Sequence, residues 1–163
     1  MPLLKNGEVV ADPWQSVADG EPVPEAGPVL IPFQRWQSER EALSRRNAPV
    51  GVRLSNTQAL ADVAPDLARF ELIVLDFPKF VDGRAFTQAR LLRERYGYRK
   101  ELRATGNVLR DELQFMHRCG FDAFEIEAPD AAAQWRAAIA EIDVFYQPAA
   151  DRVATVIARR RSA

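Results

Sequence analysis

The sequence predicts an α/β fold: an open, mostly parallel sheet of four to five strand–helix units, flavodoxin-like or a partial barrel in its wrap, with an N-terminal arm. Three observations predict it. Short apolar, branched runs begin near residues 50, 72, 101 and 122. Segments of helical periodicity separate them, so each strand rejoins the sheet by a crossover. "YGY" (96–98) and "CGF" (119–121) each put a glycine just past a helix with an aromatic after it, the pattern of a left-handed cap.

Residues 1–28 form the arm. Asn6-Gly7 between short apolar runs predicts a hairpin. "DPWQSVADGEPVPEAGP" reads as a Pro/Gly-rich loop crossing the core surface, pinned by Trp14. Residues 29–163 form one α/β domain. "VLIP" opens it as a strand, and a helix follows over Arg35 to Arg46. "PVGVRL" is the next strand, and Leu60, Val63, Ala64 and Leu67 stripe a helix that Pro65 splits. "ELIVLDF" (71–77) is nearly continuous apolar, as a strand covered on both faces should be. A helix from Gly83 to Tyr96 turns Ala85, Ala89, Leu92 and Tyr96 inward. "ELRAT" is strand, then "NVLRDELQFMHRC" is helix with Leu109, Leu113 and Met116 on one side. "FDAFEIE" (121–127) is the last clear strand, followed by a helix burying Trp135, Ala138, Ile139 and Ile142. Asp82, Asn107 and Asp130 stand as N-caps. The tail from Ala149 reads as one more helix, ending in Arg159, Arg160 and Arg161. An open sheet has two edges, so the arm or a partner covers one, a second copy of the chain (a homodimer) included.

Composition narrows the function classes. The chain has 163 residues, net charge −1 and one cysteine. Nucleic acid is not favoured as a partner, and no disulfide staple is possible within the chain. No apolar run is long enough to span a bilayer, and no signal peptide is expected. The expected compartment is the cytoplasm.

Charge is uneven along the chain. Between residues 84 and 110, Arg84, Arg90, Arg93, Arg95, Arg99, Lys100, Arg103 and Arg110 face only Glu94 and Glu101. Arg84 and Arg110 also sit in first helical turns, where the dipole disfavours cations. One reading is an anion pocket or an acidic-partner face built from Arg84, Arg110, Asn107 and helix-start amides at the carboxyl ends of the strands. The other reading is solvated arginines tied to nearby Asp82 or Asp111. Those two carboxylates are the candidates for acid–base catalysis. His117 and Cys119 are too few for a zinc or iron–sulfur site, so no metal is expected. A thiol at a helix C-terminus is not activated. Cys119 reads as a buried structural thiol and His117 as an exposed helix residue. Dinucleotide, P-loop and nucleophile-elbow motifs are missing, so no cofactor is expected.

The stretch "FPKFVDGRAFTQARLLRERYGYRKELRATGNVLRDELQFMHRCGFDAFE" (77–125) resembles a bacterial domain-of-unknown-function family, number nine-three-four. F-x-x-F-x-D-G-R, A-R-x-L-R, E-L-R-A-x-G, L-R-D and R-C-G-F-D recur there in this order. Thr87 and Asn107 stand where Ser and Asp are common. By this resemblance the signature positions include Asp82, Gly83, Arg84, Arg90, Arg93, Arg103, Gly106, Arg110, Asp111, Arg118, Gly120 and Asp122. Members are commonly encoded beside a sulfite reductase hemoprotein and are described as oxidoreductases, which implies a role in assimilatory sulfite reduction. The residues themselves fit electron transfer poorly. The expectation is therefore a non-catalytic accessory subunit whose Arg-rich face (Arg84, Arg90, Arg93, Arg103, Asn107, Arg110, Arg118) docks on sulfite reductase or its acidic ferredoxin- or flavodoxin-type donor. The competing expectation is an enzyme binding a small sulfur oxyanion or a nucleotide sulfate at the carboxyl edge of the sheet.

Overall fold

The computed structural model describes residues 2–79 and 82–161. Five parallel strands carry the units read from the sequence: β4 (Val29–Pro32), β5 (Val50–Leu54), β6 (Phe70–Phe77), β7 (Glu101–Gly106) and β8 (Ala123–Glu125), after three arm strands, β1 (Leu3–Lys5), β2 (Glu8–Val10) and β3 (Gln15–Ser16). The helices are α1 (Phe33–Ser38), α2 (Arg40–Ser44), α3 (Leu60–Val63), α4 (Arg84–Glu94), α5 (Leu113–Cys119), α6 (Ala131–Glu141) and α7 (Val156–Arg161).

The strands form one eight-stranded sheet in the order β2-β1-β8-β7-β6-β5-β4-β3. It is larger and more mixed than expected, because the arm joins it. β1 and β2 form the Asn6-Gly7 hairpin and lie antiparallel on β8, while β3 lies parallel on β4. The order of the parallel strands never reverses, which excludes the flavodoxin-like wrap and leaves the partial barrel. Chain length demands the curl. Seven strand spacings separate β2 from β3, about 33 Å along the sheet. Only residues 11–14 join them, a reach of at most about 18 Å. The sheet must bend through about half a turn for the arm to close that gap, and it is a strongly curled half-barrel.

Strand alternation sorts residues between two faces. Ile31, Val52, Ile73, Leu75, Leu102, Ala104 and Phe124 face the helices and form the main core with Trp36, Ala89, Leu92, Leu113, Met116 and Trp135. On the inner face Leu30, Leu72 and Val74 form a small second core, closed by Trp14 of the arm. Gly51 makes room for that indole: a Cβ there would lie 3.1 Å from Trp14 Cζ3 and 3.0 Å from Leu72 Cβ.

Several boundaries differ from expectation. The first helix is two short ones, broken at Glu39. Asn107 is not an N-cap, because a 3-10 turn from Arg110 opens α5; its amide instead bonds Phe77 O at 2.8 Å. Asp82 precedes the capping residue Gly83, and Asp130 occupies a cap position without a side-chain cap bond. Ile142 is exposed, not inward, and the tail is helical only from Val156. Phe80 and Val81 of the predicted carboxyl-edge loop lie outside the described residues.

Candidate functional site

The inner face carries a buried ionic cluster. In "ELRAT" Leu102 and Ala104 face the helices, so Glu101, Arg103 and Thr105 face the arm. Arg103 is fully buried. Its guanidinium donates to Asp12 Oδ2 and Oδ1 at 2.7 and 3.1 Å, to Glu101 Oε1 at 2.9 Å, and to Glu125 Oε1 at 3.3 Å. Lys5 Nζ reaches Glu101 at 2.7 Å from the hairpin. Burial alone would raise the Asp12 carboxyl, but the Arg103 bonds and the Trp14 amide outweigh it and the carboxyl titrates below its usual range. At Arg103 burial works against the charge, but Asp12 and Glu101 outweigh it and hold the guanidinium more firmly charged. Arg103 thus bolts the arm to the sheet.

Toward the carboxyl end of the same face, Thr105 donates to Glu125 Oε2 at 2.6 Å. Asp76, in register with Thr105, is half-buried, with Arg53 Nη1 at 3.9 Å. Burial pushes the Asp76 carboxyl up and Glu125 adds to the effect, against the pull of Arg53. Arg53, Thr105 and Glu125 were not singled out from the sequence. The period-2 alternation that puts them on one face is visible there, but not what that face meets.

At the carboxyl-edge loops the structure explains Arg84. Its Nε and Nη2 grip Asp82 at 2.9 and 2.5 Å, and Asn56 Nδ2 donates to the same carboxylate at 2.6 Å. The Arg84 bond, the largest influence, helps to hold Asp82 down to about 2. The unfavourable dipole position is offset by a local carboxylate. Gln88, buried, bridges Ser55 O and Gln58 O with its amide nitrogen, both at 3.0 Å, while its oxygen has no partner among the described residues. Asp82 and Asp111, the acid–base candidates, share no hydrogen bond among the described residues. Gly83 has an ordinary φ of −81°, and nothing in the structure explains why it is glycine.

The remaining arginines do not make one face. Arg103 lies inside the curl, and α4 lies on the opposite side of the sheet. Arg93 is buried and spends its donors on Gly120 O, Tyr98 O, Lys100 O and Asp122 Oδ2, all within 2.9 Å. Both spend their donors inside the chain rather than on an open surface. Gly120, at φ +110°, leaves the space Arg93 fills: a Cβ there would meet Arg93 Cγ at 2.4 Å. Gly106, at φ +88°, is similarly required beside Phe77 O. Arg118 is also structural. It bonds Asp151 Oδ2 at 3.0 Å and Gln147 O at 2.9 Å, and stacks 3.6 Å over the Phe145 ring. Arg84, Arg90 and Arg110 are exposed, but Arg90 holds Glu94 at 3.0 Å and Arg110 lies 3.8 Å from Glu141.

Cys119 is buried, and burial pushes its thiol up to about 11. His117 is half-buried, edge-on to Trp135 with ring centres 5.2 Å apart. Among the described residues no three His, Cys, Asp or Glu side chains are placed to hold a metal ion, and no helix is long and apolar enough to cross a membrane. The family model described as bacterial protein of unknown function (DUF934) matches residues 51–157. No curated protein matches the chain.

Proposed function

We propose that this chain, which belongs to the bacterial DUF934 family, is a non-catalytic accessory component of assimilatory sulfite reduction that binds the reductase hemoprotein or its acidic electron donor. The observation that supports a binding role over a chemical one is the commitment of the reactive groups. Arg103, Arg93 and Arg118 are consumed by internal bonds, Asp82 is locked as a carboxylate by Arg84, and the one thiol is buried and protonated at neutral pH. A thiol that titrates near 11 is a poor nucleophile and a poor redox relay. Sedimentation of the intact protein with purified hemoprotein and with a purified ferredoxin tests the reading. Co-sedimentation that weakens with added salt is expected; no complex with either would defeat it.

One observation favours a second reading, binding of a small sulfur oxyanion. The Arg53–Asp76 pair is loose, half-exposed and at the carboxyl edge of the sheet, where ligands of parallel sheets bind. Sulfite that raises the melting temperature in the wild type but not in Arg53→Ala would support this reading through linkage.

A further inference from the structure

Among the described residues, five of the eight exposed large apolar ones crowd into one short segment: Ile142, Val144, Tyr146, Val153 and Ile157. Tyr146 is 80% exposed. The segment is not a loose tail. Arg118 clamps it through Asp151, Gln147 and Phe145, and Ala150 N bonds Arg118 O at 3.0 Å. Gln114 Nε2 holds Ile142 O at 2.7 Å from α5. α7 folds back on the segment, with Val156 N to Phe145 O at 2.8 Å and Arg159 to Asp143 O at 3.0 Å. Ordered backbone that displays apolar side chains to water marks an interaction surface.

The segment also carries exposed arginines without a carboxylate partner among the described residues, as Arg95, Arg99 and Arg136 are elsewhere. Arg84, Arg90, Arg93, Arg103 and Arg118 each hold a carboxylate within 3.0 Å. Arg152, Arg160 and Arg161 are exposed and form no ion pair among the described residues. Arg152 is also held at φ +58°, a conformation a β-carbon disfavours.

We infer that the C-terminal segment, 142–161, is the docking surface of this protein, and that its occupant is an acidic protein presenting carboxylates alongside apolar surface. This rests on the binding role proposed above and moves that role from the internally paired arginines to the unpaired ones. Exposed apolar side chains and unpaired arginines in one segment suit a partner of opposite charge, because the charges steer the encounter and a buried apolar anchor supplies affinity. A second copy of the chain fits poorly, since a two-fold contact would set these arginines against each other. A lipid surface fits poorly as well, since α7 has six residues and offers no long apolar stripe.

The test uses the full chain with the purified hemoprotein and a purified ferredoxin, by titration calorimetry. Two variants, Tyr146→Ser/Ile157→Ser and Arg152→Glu/Arg160→Glu/Arg161→Glu, are expected to weaken binding by about tenfold or more, as loss of an apolar anchor or of the steering charges does. Their melting temperatures should match the wild type, since none of these side chains is buried. Arg84→Glu/Arg90→Glu on α4, outside the proposed surface, should change affinity less than about twofold. Wild-type affinity in both C-terminal variants, or an equal loss in the α4 variant, overturns the location while leaving the binding role standing. Wild-type protein that binds neither probe overturns both. Binding only to phosphatidylserine vesicles, or a dimer abolished by Tyr146→Ser, overturns the acidic-protein occupant.

Discussion

Removing the Asp12 carboxylate should loosen the arm without unfolding the sheet. Asp12 gives Arg103 two charged hydrogen bonds, at 2.7 and 3.1 Å, from a side chain 35% exposed. A charge-assisted bond is worth about 1.5–3 kcal/mol; discounted for solvent screening, Asp12→Ala should cost about 1–2 kcal/mol. At this length that lowers the melting temperature by about 2–8 °C. Arg103 keeps Glu101 and Glu125, so its charge stays compensated. Arg103→Met instead takes the buried guanidinium from three carboxylates at once and should cost about 3–5 kcal/mol. The Asp12 carboxyl titrates below its unfolded value of 3.8. Its contribution is therefore fully present above that value and disappears as pH falls through the folded one. The gap between wild type and Asp12→Ala should be flat from neutral to mildly acid pH and close in strong acid. Calorimetry across pH measures the gap, and hydrogen exchange locates it: the Gln15 and Val17 amides, bonded to Pro28 O and Leu30 O, should exchange faster while β6 and β7 stay protected. A gap that persists in strong acid, or that loosens β6 and β7 equally, would refute the bolt.

Other expectations follow from the same contacts. Gly120→Ala, strained at φ +110° and colliding with Arg93, should lose about 2–4 kcal/mol by urea denaturation. Trp14→Ala removes the arm residue that closes the Leu30–Leu72–Val74 core and should lose about 2 kcal/mol, below the range for a fully buried indole. Cys119, titrating near 11, should react with a disulfide reagent at mildly alkaline pH only after unfolding; fast stoichiometric labelling of the native protein would contradict its assignment. Asp76, raised by burial, penalises folding once ionised. Asp76→Asn should therefore gain stability at neutral pH and nothing in strong acid, and chemical denaturation at two pH values reads the sign.

The parallel part of the sheet was legible because each unit carries its own signals. "ELIVLDF" shows its two-sided burial locally, and Gly97 and Gly120 take the left-handed caps read from "YGY" and "CGF". The arm was half legible. Asn6-Gly7 marked the hairpin, but Gln15–Ser16 pairs with β4 by backbone alone, and no side-chain pattern encodes that. The fate of the arginines shows the same division. Arg90 and Glu94 are four apart on one helix, so their pairing follows from spacing. Arg103 stands among residues whose alternation puts it on the face away from Leu102, yet its cover, Asp12, lies 91 residues upstream. Counting charges along the chain gave a cationic segment; folding distributed it between two faces of the sheet and paired most of it.

A reconstituted assay bears most directly on the proposed role: hemoprotein and ferredoxin reducing sulfite, with and without this protein. The account predicts a rate gain that saturates at stoichiometric amounts, fades with salt, and survives Cys119→Ser. Turnover by this protein alone with a reductant, or a rate unchanged by its addition at low salt, would contradict it.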